Sequence, residues 1–457
     1  MMLAKLMLYG LGEEIMESPE KIKQEILNKT KEYFDIAFRR NDSFIPGTSR
    51  INYAEKVFDE NELINLIDST LEFWLTHGKY SKEFEDEFAR FLGVKKSLLV
   101  NSGSSANLLA FMALTSPLLG EKRISRGDEV ITVAACFPTT ITPIIQYGAV
   151  PVFVDVDLET HNIDVSYLDQ CLSEKTRAVI LAHTLGNPFN IKEVKAFCER
   201  HNLWLIEDNC DALGAKYQGK LTGTWGDIGT SSFYPPHHMT MGEGGAVYTN
   251  DELLHKIMLS MRDWGRDCCC ESGEDGRCGS RFSRQYGELP IGYDHKYVYS
   301  HFGYNLKASD MQAAIGCAQL KKLPQFVDDR KKNFSYLLNG LKDFESYFLL
   351  PKATINSDPS WFGFMLTIKE GVSFTRNEIV NFLEQRNIQT RNLFSGNIIM
   401  HPCFSTMVEN EDYRVLGSLE NTNKIMNDSF WIGVAPTMTQ EKLQYMVDSI
   451  SCFVNKS

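Results

Sequence analysis

The 457-residue chain contains no run of about 18 uninterrupted apolar residues, the length that a membrane-spanning helix needs. A membrane protein is therefore not expected. Positive charge is scarce: 47 Lys and Arg stand against 59 Asp and Glu, a formal net charge of −12. That balance argues against nucleic-acid binding, which relies on clustered cations to displace counterions. An export signal is missing as well. Met1 to Gly12 is apolar but short, carries only Lys5, offers no small-residue cleavage site and runs into Glu13-Glu14. A cytoplasmic location follows as the expectation. No internal repeat or low-complexity tract is present.

What the chain does have is an ordinary globular composition, 43% hydrophobic and 23% charged, enough to bury a sizeable core. Length alone suggests about three units of ~150 residues. Eleven cysteines without an export signal read as reduced thiols rather than a disulfide framework. Four of them, Cys268, Cys269, Cys270 and Cys278, crowd one short stretch, which in such a chain points to metal or redox chemistry.

Ser18-Pro19-Glu20 reads as a helix start: an N-cap, a proline at the first position and an acid in the first turn. Further helices are expected from about Asn61 and after Ser81, the latter stopped at Gly93. Short apolar runs then alternate with helical text: Ser97 to Val100, Val130 to Ala135, Val150 to Val156, Ala178 to Ala182 and Leu203 to Glu207. Apolar strands between helices predict an α/β fold with a mostly parallel sheet covered on both faces. Ligands on such sheets sit beyond the carboxyl ends of the strands. Residues 263 to 300 interrupt the pattern with four cysteines, six glycines and no periodicity, a loop long enough to carry function. A long helix is expected from near Ala308 through Leu320, and from about Leu338 the text alternates again as a smaller α/β unit.

Four motifs fall at strand ends. Asn101-Ser-Gly-Ser-Ser105 joins a strand to a helix, where backbone amides suit a phosphate; a bland polar turn reads equally well. Cys136-Phe137-Pro138-Thr139-Thr140 offers an aromatic that could stack on a planar ring, or fill the core. Glu207-Asp208-Asn209-Cys210-Asp211 closes a strand with an acid that can keep a heterocyclic nitrogen protonated, or cap a helix. Ser232-Phe-Tyr-Pro-Pro-His237-His238-Met-Thr-Met-Gly242-Glu-Gly-Gly245 holds two prolines, two histidines and a glycine-rich turn, which packing alone does not explain.

The series resembles the sugar-aminotransferase branch of the fold type I pyridoxal-phosphate enzymes, the DegT/DnrJ/EryC/StrS group, from about Phe58 to the C-terminus. The resemblance implies an N-terminal extension over 1–57, a large cofactor-binding domain over 58–320 that includes the 263–300 loop, and a small C-terminal α/β domain over 321–457. It implies that Gly103, Ser104, Ser105 and Ser232 bind the cofactor phosphate, that Phe137 stacks on the pyridine ring and that Asp208 pairs with its nitrogen. Asp211 stands where relatives carry a glutamine near the ring hydroxyl. Asn305 would reach a neighbouring subunit's phosphate, which implies a homodimer.

The departures carry the functional expectation. Aminotransferases place a lysine five residues before the first glycine of Gly-Glu-Gly-Gly; here that residue is His237. An imidazole cannot form the stable Schiff base, yet its ordinary pKa of ~6.5 suits a general base. A one-residue slip would give the role to His238. The cysteines of Cys210-x57-Cys268-x-Cys270-x7-Cys278 match the spacing of the CDP-4-keto-6-deoxyglucose 3-dehydrases, in which four thiolates hold a 2Fe–2S cluster. Cys269 competes as a ligand, and only the family spacing sets it aside.

The resemblance thus implies a lyase-type reductive deoxygenation that uses pyridoxamine 5'-phosphate. A CDP-linked 4-keto-6-deoxy sugar condenses with the cofactor amine, His237 takes a methylene proton and the C3 hydroxyl leaves as water. Electrons would come through the cluster from an NADH-dependent iron–sulfur flavoprotein reductase, towards 3,6-dideoxyhexoses of lipopolysaccharide O-antigen. Three rivals remain: a cluster-free GDP-4-keto-6-deoxymannose 3-dehydratase, a nucleotide-sugar aminotransferase, and a zinc-stabilised binding module using the same thiols. His183 and Arg391 are further candidates for substrate and diphosphate contact, against a satisfied loop histidine and a surface ion pair.

Overall fold

In a computed structural model the chain is described over residues 18–38, 43–270, 273–277 and 279–456. The first helix, Pro19–Ala37, begins where Ser18 accepts a hydrogen bond from the Lys21 amide. The second, Glu60–Glu72, opens with a capping box between Asp59 and Glu62. The third, Lys79–Leu92, starts ahead of the expected Ser81. Its orphan amides at Gly78, Tyr80 and Ser81 are taken by the Asp310 carboxylate at 3.0, 3.2 and 2.8 Å, a distant cap that local reading cannot supply. It stops at Gly93, whose φ of 71° is left-handed.

An eight-stranded sheet carries the architecture. Its order is Lys96–Val100, Gly245–Thr249, Ile228–Ser232, Trp204–Asp208, Thr176–Ala182, Glu129–Val133, Val150–Val154, Arg414–Val415. All pairings are parallel except those of Gly245–Thr249, which runs antiparallel to both neighbours. Strand Glu129–Val133 is buried at every position, as a sheet covered on both faces requires. This is the fold type I arrangement expected from the sequence.

A four-stranded antiparallel sheet, ordered Phe348–Leu349, Gly363–Ile368, Ser429–Gly433, Thr390–Arg391, has its own apolar core. Helix Asp310–Leu341 runs between the two cores and extends well past Leu320. It tolerates Pro324 and keeps Leu323, Phe326, Val327, Phe334 and Leu337 buried, so packing, not local propensity, sets its length.

Residues 263 to 300 are irregular, with one short 3-10 turn at His295–Tyr297 among the described residues. Arg281 pairs with Asp294 at 2.7 Å and His295 with Asp267 at 2.8 Å. Among the described residues no helix is long and apolar enough to cross a membrane.

Candidate active site

A cavity of about 320 Å³ opens at the carboxyl ends of the parallel strands. Strand Trp204–Asp208 delivers Asp208, strand Ile228–Ser232 delivers Ser232, and the turn after Lys96–Val100 delivers Gly103 and Ser104. Phe137, Cys210, Asp211 and His237 complete the set of expected residues on its wall. Ser105 lies at the same helix start but does not line the cavity; its amide donates to Ser102 Oγ at 3.0 Å. Asn305 is exposed and lies outside this cavity.

Asp208 is buried, 5% exposed, and its Oδ2 accepts from Asn107 Nδ2 and Thr140 Oγ1, each at 2.8 Å. Asn107 is held in turn by Thr230, whose hydroxyl donates to Asn107 Oδ1 at 2.6 Å. With the Cys210 amide donating to Oδ1 at 3.2 Å, these donors hold the carboxylate in one orientation.

The helix Gly103–Ala113 begins at the cavity edge with Ser102 as its N-cap. Its first amides and positive dipole end suit an anion. Gly103 is required by close approach: a Cβ there would stand 2.4 Å from Ser232 Cβ. Phe137, half exposed at 50%, presents its ring beside Phe394 with centroids 6.3 Å apart.

His237 Nδ1 lies 3.4 Å from Asp211 Oδ1. Burial pushes its pKa down to about 4, against the pull of Asp208 and with the charge of Arg330, so the ring is neutral at neutral pH. Burial and then the Asp208 carboxylate push Asp211 up to about 8. The ordinary imidazole value expected from sequence does not survive this enclosure. His237 Nδ1 and Asp211 Oδ2 are buried without hydrogen-bond partners, which marks a site built to receive a polar ligand. An anion cradle, a stacking ring, a supported carboxylate and two unsatisfied buried atoms together fit a pyridoxamine phosphate.

Residues 57–451 match the DegT/DnrJ/EryC1/StrS aminotransferase family. The chain belongs to that family. It is 54% identical over 410 residues to the lipopolysaccharide biosynthesis protein RfbH of Salmonella typhimurium, spanning 90% of this chain and 93% of that one. It is 49% identical over 435 residues to the dTDP-4-dehydro-2,6-dideoxy-D-glucose 3-dehydratase of Saccharopolyspora spinosa, spanning 95% and 93%. Among solved structures it is similar to an E. coli GDP-4-keto-6-deoxy-D-mannose-3-dehydratase with bound hydrated PLP, at TM-score 0.78 and 30% identity, covering 88% of this chain and 100% of that one. DegT-family membership accounts for the order of motifs along the chain.

The thiols divide. Cys210 lines the cofactor cavity, whereas Cys268, Cys269 and Cys270 line a different one, of about 470 Å³, with His77, Glu85 and Arg262. Cys278 lies outside the described residues. Among the described residues no group of three or more His, Cys, Asp or Glu side chains could hold a metal ion. Burial, with Asp208 and Asp211 beside it, pushes the Cys210 thiol well up; burial pushes Cys268 up to about 11. Cys210 and the run Cys268 to Cys270 thus line the walls of two different cavities.

Other expectations resolve plainly. His183 is fully buried, paired with Glu207 at 3.0 Å and stacked on Phe189, so it belongs to the core. His238 turns away from the cofactor cavity to the Ser360 carbonyl at 2.8 Å. Arg391 lines the cavity and lies over Tyr53 at 4.2 Å. The sequence reading missed Asn107, Thr140, Phe362 and Arg330. A buried polar side chain inside the apolar helix Gly103–Ala113 was the signal for Asn107; Arg330 gave none, being one arginine on a long polar-faced helix.

Proposed function

We propose that this chain is a pyridoxamine-phosphate-dependent 3-dehydratase of a nucleotide-linked 4-keto-6-deoxy sugar, feeding a deoxysugar of surface polysaccharide. The observation that carries the reading is His237, a neutral imidazole without a partner on Nδ1, in the position where aminotransferases of the family keep a lysine. Pyridoxamine phosphate, when bound, supplies an amine for the sugar ketone and a ring that takes up electron density.

The chain's own residues do the rest. Gly103 and Ser104 amides, with Ser232, hold the phosphate. Phe137 covers one ring face. Asp208, oriented by Asn107 and Thr140, keeps a proton on the ring nitrogen. His237 accepts a proton from the cofactor's methylene carbon, and Asp211 at 3.4 Å limits its orientation. Arg391, Tyr53 and Trp431 also line the cavity and suit a diphosphate and its nucleoside.

Within this reading the nucleotide is CDP, the working unit is a homodimer completed by Asn305, and Cys210, Cys268, Cys270 and Cys278 would hold a 2Fe–2S cluster that would supply electrons from an NADH-dependent flavoprotein reductase. Cysteine spacing supports the cluster. A second reading, a cluster-free dehydratase acting on a GDP-linked sugar, is favoured by Cys210 lining a different cavity from Cys268 and Cys270. Iron and acid-labile sulfide in anaerobically purified protein decide between them: near-stoichiometric iron supports the first, iron-free colourless protein the second. For the dehydration itself, the test is deuterium exchange at the cofactor methylene. A His237→Asn enzyme that exchanged at the wild-type rate would remove His237 from this role.

A further inference from the structure

Arg330 is 2% exposed, a rare depth for a permanent charge. Backbone carbonyls receive its guanidinium, not a carboxylate. Nη1 donates to the carbonyls of Trp361 and Phe362, both at 3.4 Å. Nη2 donates to those of Pro236 at 3.5 Å and His237 at 3.4 Å. Nε has no partner. Asp211 acts on it electrostatically, with no ion pair between them. Taking a guanidinium out of water is costly, and an unbranched apolar side chain such as Met would fill much of the space at lower cost. Burial against neutral carbonyls therefore indicates work that packing cannot do.

The geometry shows which work. A planar fork can span two chain segments at once, which a point charge cannot. One segment is the turn Pro235-Pro236-His237. The other is Trp361-Phe362, leading into strand Gly363–Ile368. The Phe362 ring lies 5.3 Å from the His237 ring, and the Arg330 guanidinium carbon lies 5.7 Å from the Phe362 centroid. His238 pins the same two segments from another point through the Ser360 carbonyl. Arg330 itself does not line the cofactor cavity.

We propose that Arg330 is a positioning residue: its fork ties the His237 turn to Phe362, and so fixes the direction in which the imidazole faces the cofactor. The catalytic half of this role rests on His237 being the base, as proposed above; the clamp itself does not.

The test compares wild type, Arg330→Met and Arg330→Lys as full-length proteins saturated with pyridoxamine phosphate. Amide hydrogen exchange is read at His237, whose N–H donates to the Tyr234 carbonyl at 3.0 Å, and at Met241, which donates to Phe233 at 2.9 Å. Arg330→Met is expected to raise exchange there about tenfold, with strand Lys96–Val100 unchanged. Methylene deuterium exchange should fall about tenfold or more, while pyridoxamine phosphate affinity moves less than about threefold. Arg330→Lys should fall between the two. Wild-type amide protection at 237 and 241 in soluble Arg330→Met overturns the proposal. Should Arg330→Met not fold, Arg330→Lys decides alone, since full protection in it would show that no fork is needed. A wild-type enzyme without methylene exchange would sink the dehydratase reading, and amide protection would still judge the clamp.

Discussion

Two regions hold the chemistry-bearing residues, and they are built in opposite ways. The cofactor cavity is assembled from strand ends and a helix start, and its anchors are buried: Asp208 on Asn107 and Thr140, Asn107 on Thr230, and Phe362 beside the His237 ring. The cysteine loop over 263–300 is irregular and rich in exposed apolar side chains, including Phe282 at 61% and Ile291 at 85%. Its root is firm, however. Arg262 pairs with Glu85 at 2.7 Å, and Glu85 also accepts the Leu99 amide at 2.7 Å. The contrast teaches that orientation in the first region comes from the scaffold, whereas thiol placement in the second depends on a loop tied down at its ends.

That comparison can be broken at several points. His237→Asn should lower methylene proton exchange by roughly 10²–10⁴-fold, read by mass spectrometry of the cofactor, with the melting temperature nearly unchanged.

Next in size is the root of the loop. Glu85→Ala leaves Arg262, 3% exposed, with Asp263 at 3.0 Å as its remaining carboxylate and should cost about 2–3 kcal/mol in a denaturant titration. The same carboxylate predicts an acid limb. Burial opposes its charge, yet Arg262 and His77 hold its pKa below the ordinary 4.5. A depressed folded value adds stability that is complete above about 4.5 and is lost as pH falls further. Acid titration of Glu85→Gln should show a shallower loss than wild type.

Asn107→Ala removes one of the two side-chain donors to Asp208 and should cost about 1.5–3 kcal/mol of cofactor binding, measured by equilibrium titration. Smallest of all, Cys268→Ser should change stability by about 0.5 kcal/mol or less. Should the cluster reading hold, it would still abolish iron loading. A large stability loss with no iron in the wild type would make Cys268 a packing residue and undo the contrast between the regions.

Much of this was legible in the residues. Strand ends were marked by their motifs because a parallel sheet must carry apolar runs, and polar or glycine-rich turns then stand out at their carboxyl ends. Gly103, Phe137, Asp208, Ser232 and His237 were found in this way, and they share one cavity. His183 was ambiguous because nothing local says whether a histidine at a strand end turns inward to Glu207 or outward. The early start of helix Lys79–Leu92 was hidden because its cap, Asp310, lies far along the chain.

By itself the sequence determined the α/β class and the family and singled out His237 as the candidate base, since apolar periodicity and the order of short motifs are local properties. Tertiary structure alone decided that burial holds His237 neutral, that Arg330 reaches the carbonyls of its turn, and that Cys210 lines a different cavity from Cys268 and Cys270. Burial, a field from distant charges and the route of a loop are sums over the whole fold, and no window of neighbouring residues contains them.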